Sequence, residues 1–204
     1  MKTLTSIDEL EAIYAAKPKL ASTAKEVDYL TEEYKALIAA SPFVILATAG
    51  EGGLDCSPRG DVGAVARVMD DKTLAIPDRR GNNRIDSLRN IIGDPRVALL
   101  FLIPGSGTTL RVNGRAHITT DAAMLSSFET EGKLPRSVIV VSIEACYFQC
   151  ARAIIRSDLW NTTTHVAAHE MPTPGKMLER LTKAEIEAKH YDSEWSERAK
   201  STMW

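Results

Sequence analysis

Long apolar runs are missing from this chain. None of its 204 residues form a stretch near the length of a membrane span, which takes about 20 apolar residues. The opening residues, MKTLTSIDELEAIYAAKPKL, carry acids where a secretory signal would carry an apolar segment. A cytoplasmic protein with no membrane partner is expected. Cysteine is scarce: Cys56, Cys146 and Cys150 are too few for a disulfide framework. Cys146 and Cys150 are spaced as neighbours on one strand face, a poor geometry for a mutual bridge, so each is read as a buried, reduced thiol. Charge of one sign is also missing. The net charge is -2 and the pI about 6.1, so no bulk basic field exists to hold nucleic acid. The sequence contains no phosphate-binding P-loop, dinucleotide fingerprint, Gly-x-Ser-x-Gly elbow, internal repeat or low-complexity tract.

What is present is a hydrophobic content of 44%, ordinary for a globular chain and enough for a core. Ser6 to Ala16 reads as a short amphipathic helix capped by Ser6 with Glu9 three residues on, its stripe being Ile7, Leu10, Ile13 and Tyr14. A linker with Pro18 leads to a second helix over Thr31 to Ala40, capped by Thr31 and facing inward through Tyr34, Leu37 and Ile38. Both helices are expected to pack.

Strand patterns follow. Phe43 to Thr48 is apolar throughout, Ala49 to Gly53 is a hairpin turn, and Leu54 to Ser57 returns. Pro58-Arg59-Gly60-Asp61 is read as an interruption, with strand character resuming over Ala64 to Met69 and again at Leu74-Ala75-Ile76. Val97 to Ile103, the alternating Thr108 to Thr119 and the long Ser137 to Gln149 complete the set. Asp121 to Phe128 forms a helix with Asp121 near its cap. Short strands joined by tight turns favour an antiparallel sheet or barrel. The expected fold is mainly β, an α+β barrel of six or seven antiparallel strands with N-terminal, interior and C-terminal helices. One domain is expected over 1–204: a helical segment over 1–41, the barrel over 42–150 and a helical extension over 151–204. In the extension, Thr182 and Glu185 are spaced as a capping box for a helix of their own.

The stretch most suggestive of function is LAIPDRRGNNRIDSLRNIIGDP, from Leu74 to Pro95. A strand breaks at Pro77, and a loop sets Arg79, Arg80 and Arg84 around Gly81, Asn82 and Asn83. A helix then runs to Gly93, its apolar positions being Ile85, Leu88, Ile91 and Ile92. Asn82 or Asn83 is placed to cap this helix, with Asp86 near a capping-box position. Glycine permits close backbone approach and positive φ, a helix start offers free N–H groups, and arginine supplies forked donors. That composition suits a phosphate. Two other segments carry arginine: Ser57-Pro58-Arg59-Gly60-Asp61 and Leu110-Arg111-Val112-Asn113-Gly114-Arg115. His165 and His169 stand at i and i+4 but lack a third ligand, so no metal site is assigned. His117 reads as solvent-facing or hydrogen-bonded.

In combination, the order strand–SPRGD–strand–strand–PDRRGNNR–helix–strand–LRVNGRA resembles the FMN-binding split-barrel proteins of the pyridoxamine 5'-phosphate oxidase-like class over about Pro42 to Gln149. Its nearest look-alikes are FMN-dependent enzymes whose substrates are generally unassigned. The resemblance implies a homodimer with FMN at the interface and a small-molecule substrate. It implies that Arg59 contacts the flavin and its phosphate side, that main-chain groups of Ile76 and Pro77 line the ring and ribityl chain, and that Asn83 and Arg84 hold the 5'-phosphate just inside the helix. Asn82 belongs to the same anchor. Asparagine at 83 removes one charge of the family's basic pair; either Arg79 or Arg80 is available to replace it. Thr109 and Arg111 are implied to reach the flavin from the partner subunit. Arg59 or Arg111 would stabilise the anionic reduced ring; no side chain stands out as a general base. The Arg-Leu-His-x-Arg segment of the vitamin oxidases is not found here, which argues against pyridoxamine 5'-phosphate as substrate. Arg156 and Trp160 could cover a ring after the long strand, or be a surface cation and a core aromatic. The function implied is FMN-dependent oxidoreduction; the alternatives are a flavin-storing protein without turnover and a split barrel that binds haem or a deazaflavin.

Overall fold

In the computed structural model, which describes residues 1–203, the chain opens with α1 (Ile7–Ile13), α2 (Leu20–Thr23) and α3 (Glu32–Ala39). The sheet follows as β1 (Phe43–Gly50), β2 (Gly53–Gly60), β3 (Arg67–Asp70) and β4 (Thr73–Pro77), then α4 (Asp86–Gly93), β5 (Arg96–Leu102) and β6 (Thr109–Thr119). After α5 (Ala122–Ser127) comes β7 (Val138–Gln149), and the chain finishes with α6 (Arg152–Ser157), α7 (Pro174–Leu181), α8 (Ala188–Ser193) and α9 (Trp195–Thr202). Trp204, the last residue of the expected helical tail, lies outside the described residues.

The strands form one antiparallel sheet in the order β2-β1-β5-β6-β7-β4-β3. β7 carries its curvature. Its whole length pairs with β6, its first half also pairs with β4, and its second half is met by Val27, which exchanges backbone hydrogen bonds with Cys146. This is the split barrel the motif order implied. Period-2 alternation sends Val44 and Leu46 of β1, Leu99 and Phe101 of β5, and Leu110 and Val112 of β6 into one core with Leu74, Ile76, Ile139 and Val141. Ile38 and Tyr34 of α3 and Ile91 of α4 close it. The outer side of β4 and β7 is covered by Phe128 just after α5, packed on Ala75, Val138 and Val140. β4 is therefore buried on both faces, which is why its sequence is uniformly apolar.

Several expectations change. Pro58-Arg59-Gly60 does not interrupt β2 but lies within it, in full register with β1. β2 is an edge strand, where proline's missing N–H leaves no ladder bond unmade. α1 forms where Ser6 caps it, its Oγ accepting from the Glu9 N–H. Its stripe of Ile7, Leu10, Ile13 and Tyr14 stays exposed, with no apolar cover among the described residues. Thr31 and Asp121 cap as read. Thr182 is instead the C-cap of α7, its hydroxyl donating to the Leu178 carbonyl, and the next helix waits until Ala188. Of the three thiols only Cys146 is buried; Cys56 sits on the outer row of the edge strand and Cys150 just beyond β7.

Burial pushes the Cys146 thiol up to about 11, with the Asp28 carboxylate adding to the shift, and its S–H donates to the Tyr29 carbonyl at 3.0 Å. A thiol so placed holds almost no thiolate at about pH 8. In folded protein treated with iodoacetamide, peptide mass mapping should find Cys150 labelled and Cys146 untouched until the chain is unfolded. Equal labelling of the two in the folded protein would contradict the placement of Cys146.

Candidate anion and cofactor site

The loop between β4 and α4 does not form its expected helix start. The Asn82 Oδ1 accepts the Arg84 N–H at 3.0 Å, an Asx turn. Asn83, not Gly81, takes the left-handed conformation, with φ of 62°, which asparagine tolerates better than most residues. These two features turn the chain once more before α4 begins at Asp86, with Ile85 as an N-cap lacking a side-chain bond. Asn82, Asn83 and Arg84 therefore precede the helix, and neither asparagine caps it. Of its expected apolar stripe, Ile91 and Leu88 pack inward while Ile85 and Ile92 are exposed.

The extra turn makes a cradle of side chains. A cavity of about 260 Å³ is lined by Arg59, Arg79, Arg80, Arg84 and Arg136 together with Asn82 and Asn83. Asp78 is the one carboxylate in its lining. A larger groove of about 760 Å³ lies beside it, between the β1–β2 turn and α4. There Arg84, Arg89 and Arg96 face Glu51, Asp55, Asp86 and Asp94, so the carboxylates outnumber the arginines by one. The excess of positive charge belongs to the smaller cavity.

The five arginines are not equivalent. Arg79 is committed to the fold: its Nε and Nη2 grip Asp61 at 2.8 Å and its Nη1 donates to the Phe128 carbonyl at 2.8 Å. Arg84 is exposed and pairs with Asp86 at 2.9 Å. Arg80 makes no hydrogen bond or ion pair among the described residues, so of the two candidates to replace the missing charge, Arg80 is the free one. Arg136 donates to Asn83 Oδ1 at 2.7 Å and also lines the cavity. Sequence reading missed Arg136. It stands 53 residues beyond Asn83, in a loop with no motif, and only the return of the chain into β7 brings it there.

Arg59 is held from below. Its Nη1 lies 3.3 Å from Asp78 and its Nη2 donates to Ser87 Oγ at 3.1 Å. Ser87 is buried in the first turn of α4 and donates to Asp55 at 2.6 Å, so the Ser57 hydroxyl, 2.9 Å away, donates to Ser87. Arg59 Nε is buried with no partner. Burial raises the Asp78 carboxyl above its ordinary range although Arg59 and Arg136 pull it down. A buried donor left unpaired among several guanidinium groups is an arrangement an incoming anion would complete, and Asp78 offsets only one of the five positive charges around it.

The other expected residues lie apart. Ile76 is fully buried in the barrel core, while Pro77, the next residue, lines an adjoining cavity with Arg59, Arg79 and Arg80. Thr109 is buried opposite Gln149, and Arg111 donates to the Tyr147 hydroxyl at 2.8 Å. Pro77 pairs with Val138 and Arg111 with Tyr147, so the two groups are separated by nearly the length of β7, about 30 Å at ~3.3 Å per residue. One chain does not bring them together. His165 and His169 fall in two separate 3₁₀ turns, Thr162–Thr164 with its cap and Ala168–Glu170, and share no helix face. Arg156 is exposed, and Trp160 is half-buried with its indole N–H donating to the Ser106 carbonyl at 2.7 Å. No helix among the described residues is long and apolar enough to cross a membrane.

Among solved structures, HupZ of Group A Streptococcus is 21% identical, matching 57% of this chain and 91% of its own with a TM-score of 0.47. A protein related to general stress protein 26, of the pyridoxinephosphate oxidase family, from Clostridium acetobutylicum is 15% identical over 58% of this chain and 86% of its own, TM-score 0.43. An FAD binding protein from Mycobacterium smegmatis is 14% identical over 60% and 97%, TM-score 0.39. No curated protein matches the sequence. The sequence model of the family described as pyridoxamine 5'-phosphate oxidase matches residues 30–150, taking in α3 as well as the whole sheet. The chain therefore belongs to the pyridoxamine 5'-phosphate oxidase family.

Proposed function

We propose that this protein is an FMN-dependent oxidoreductase acting as a homodimer on a small-molecule substrate. The observation that carries the reading is the cavity of five arginines and one carboxylate, with Arg80 unpaired and Arg59 Nε orphaned. Such a site fits a phosphate dianion, for which arginine forks are the usual protein partner. Arg80, Arg136 and Arg84 with Asn82 and Asn83 would hold the phosphate. Arg59, fixed by Ser87 and Asp78, would meet it from the β2 side, and Pro77 with the Ile76 backbone would border the ring end. Thr109 and Arg111 would come from the partner subunit, as their distance from the cavity within one chain supports. When bound, the flavin supplies hydride or single-electron transfer; the chain's part is to bind, orient and exclude water, with Arg111 or Arg59 offering a donor to charge that develops on the ring.

The absorbance of the purified protein tests this directly. Bands of oxidised flavin, released on denaturation as FMN, are expected, together with NADH or NADPH oxidation when an acceptor is supplied. A Soret band would replace the reading with a haem-binding one, and flavin without turnover across donors and acceptors would leave a storage protein.

A further inference from the structure

A second concentration of unpaired positive charge lies at the far end of β7. Arg111 on β6 and Lys25, in the segment beside the opposite edge of β7, flank Tyr147. The Arg111 guanidinium stands 5.5 Å from the centre of the Tyr147 ring and donates to its hydroxyl. The Lys25 ammonium stands 5.8 Å from the same ring and 4.7 Å from that of Phe148. Lys25 is positioned by its neighbours: its carbonyl accepts the Tyr34 hydroxyl at 2.6 Å, and Val27 is fastened to Cys146 by two backbone bonds. Neither cation makes an ion pair among the described residues. Both cations thus border the same ring with no carboxylate to neutralise them, and contact with a ring face compensates a full charge only weakly. An anion at the hydroxyl edge of Tyr147 would answer that charge and take a hydrogen bond from the phenol, whose oxygen already accepts from Arg111.

We propose that Lys25, Tyr147 and Arg111 form an anion clamp that selects a substrate bearing a carboxylate or phosphate group. The proposal rests on the preceding reading, in which Arg111 is delivered to the partner's flavin. Lys25 travels with Arg111 on the same rigid platform, so it reaches the same site. Lys25 is then a specificity-determining residue, contributed by the segment before the barrel.

Inorganic phosphate is the probe, titrated calorimetrically into the full chain with and without excess FMN. With FMN present the arginine cavity is filled, and wild-type protein should still bind phosphate. Lys25→Met keeps the stem over the rings but should weaken that binding about tenfold, the loss of one charge-assisted contact. Lys25→Arg should retain it. Phosphate binding that is equal in wild type and Lys25→Met, or missing from FMN-saturated wild type, overturns the clamp. If FMN itself does not bind, the cofactor reading fails, and the comparison of wild type with Lys25→Met without FMN still decides the clamp.

Discussion

Alanine at both Arg80 and Arg136 should weaken FMN binding about a hundredfold or more, while Arg84→Ala costs only several-fold. The ranking follows from what each guanidinium already holds. Arg84 is paired with Asp86 and exposed, so a phosphate gains from it only part of its charge. Arg80 has no partner, and Arg136 is held by a neutral amide; each can give a phosphate a full charge-assisted hydrogen bond, worth about 1.5–3 kcal/mol, and each 1.4 kcal/mol is about a factor of ten. Flavin fluorescence titration reads the affinities, and thermal melting of the apo-proteins checks the fold, which these surface changes should leave within about 0.5 kcal/mol. A double variant that holds FMN within about threefold of wild type would remove the phosphate from this cavity.

Gly114→Ala should be the most damaging single methyl that the sheet can receive. The β6–β7 register shifts between Asn113 and Gly114, and there the two backbones close on each other. A Cβ at 114 would collide with the Ser142 carbonyl oxygen and crowd its carbon and the Ile143 Cα. All three are backbone atoms in central strands, so no side chain can swing aside. A loss of about 3 kcal/mol or more is expected, at the upper end of overpacking costs. For a chain of this size it would lower the melting temperature by about 6–12 °C. Gly81→Ala is the control: a Cβ there meets nothing within 4 Å, and its stability effect should stay within about 0.5 kcal/mol. Equal melting temperatures for the two variants would contradict the close approach at Gly114.

The barrel was legible because its strands are apolar or alternating runs bounded by turn residues, and the structure resolves the apolar runs of β1 and β5 into one buried row each. Val44, Leu46, Leu99, Phe101, Leu110 and Val112 alternate into the core, and Ser6, Thr31 and Asp121 cap helices by chemistry that acts within three residues. The errors came where a local rule depends on distant context. Pro58 reads as a breaker until β2 is known to be an edge. Asn82 and Asn83 read as caps until the one accepts the Arg84 N–H and the other turns left-handed, which moves the helix start to Asp86. Cys56 and Cys150 read as core thiols because cysteine usually is. For the site, the loop and Arg59 could be found by motif. The division of labour among Arg79, Arg80 and Arg84 could not, since it depends on where Asp61 and Asp86 point. Arg136 carried no local signal at all.

The distance along β7 between Pro77 and Arg111 has a thermodynamic corollary. If each flavin is enclosed by residues from both subunits, cofactor binding and subunit association are linked equilibria. Whatever factor dimerisation adds to flavin affinity, flavin must add to the affinity of one subunit for the other. Apo-protein would then dissociate on dilution at concentrations where holo-protein stays paired, and flavin occupancy would rise more steeply with protein concentration than a single independent site allows. The supply of flavin would thereby set the oligomeric state of the protein.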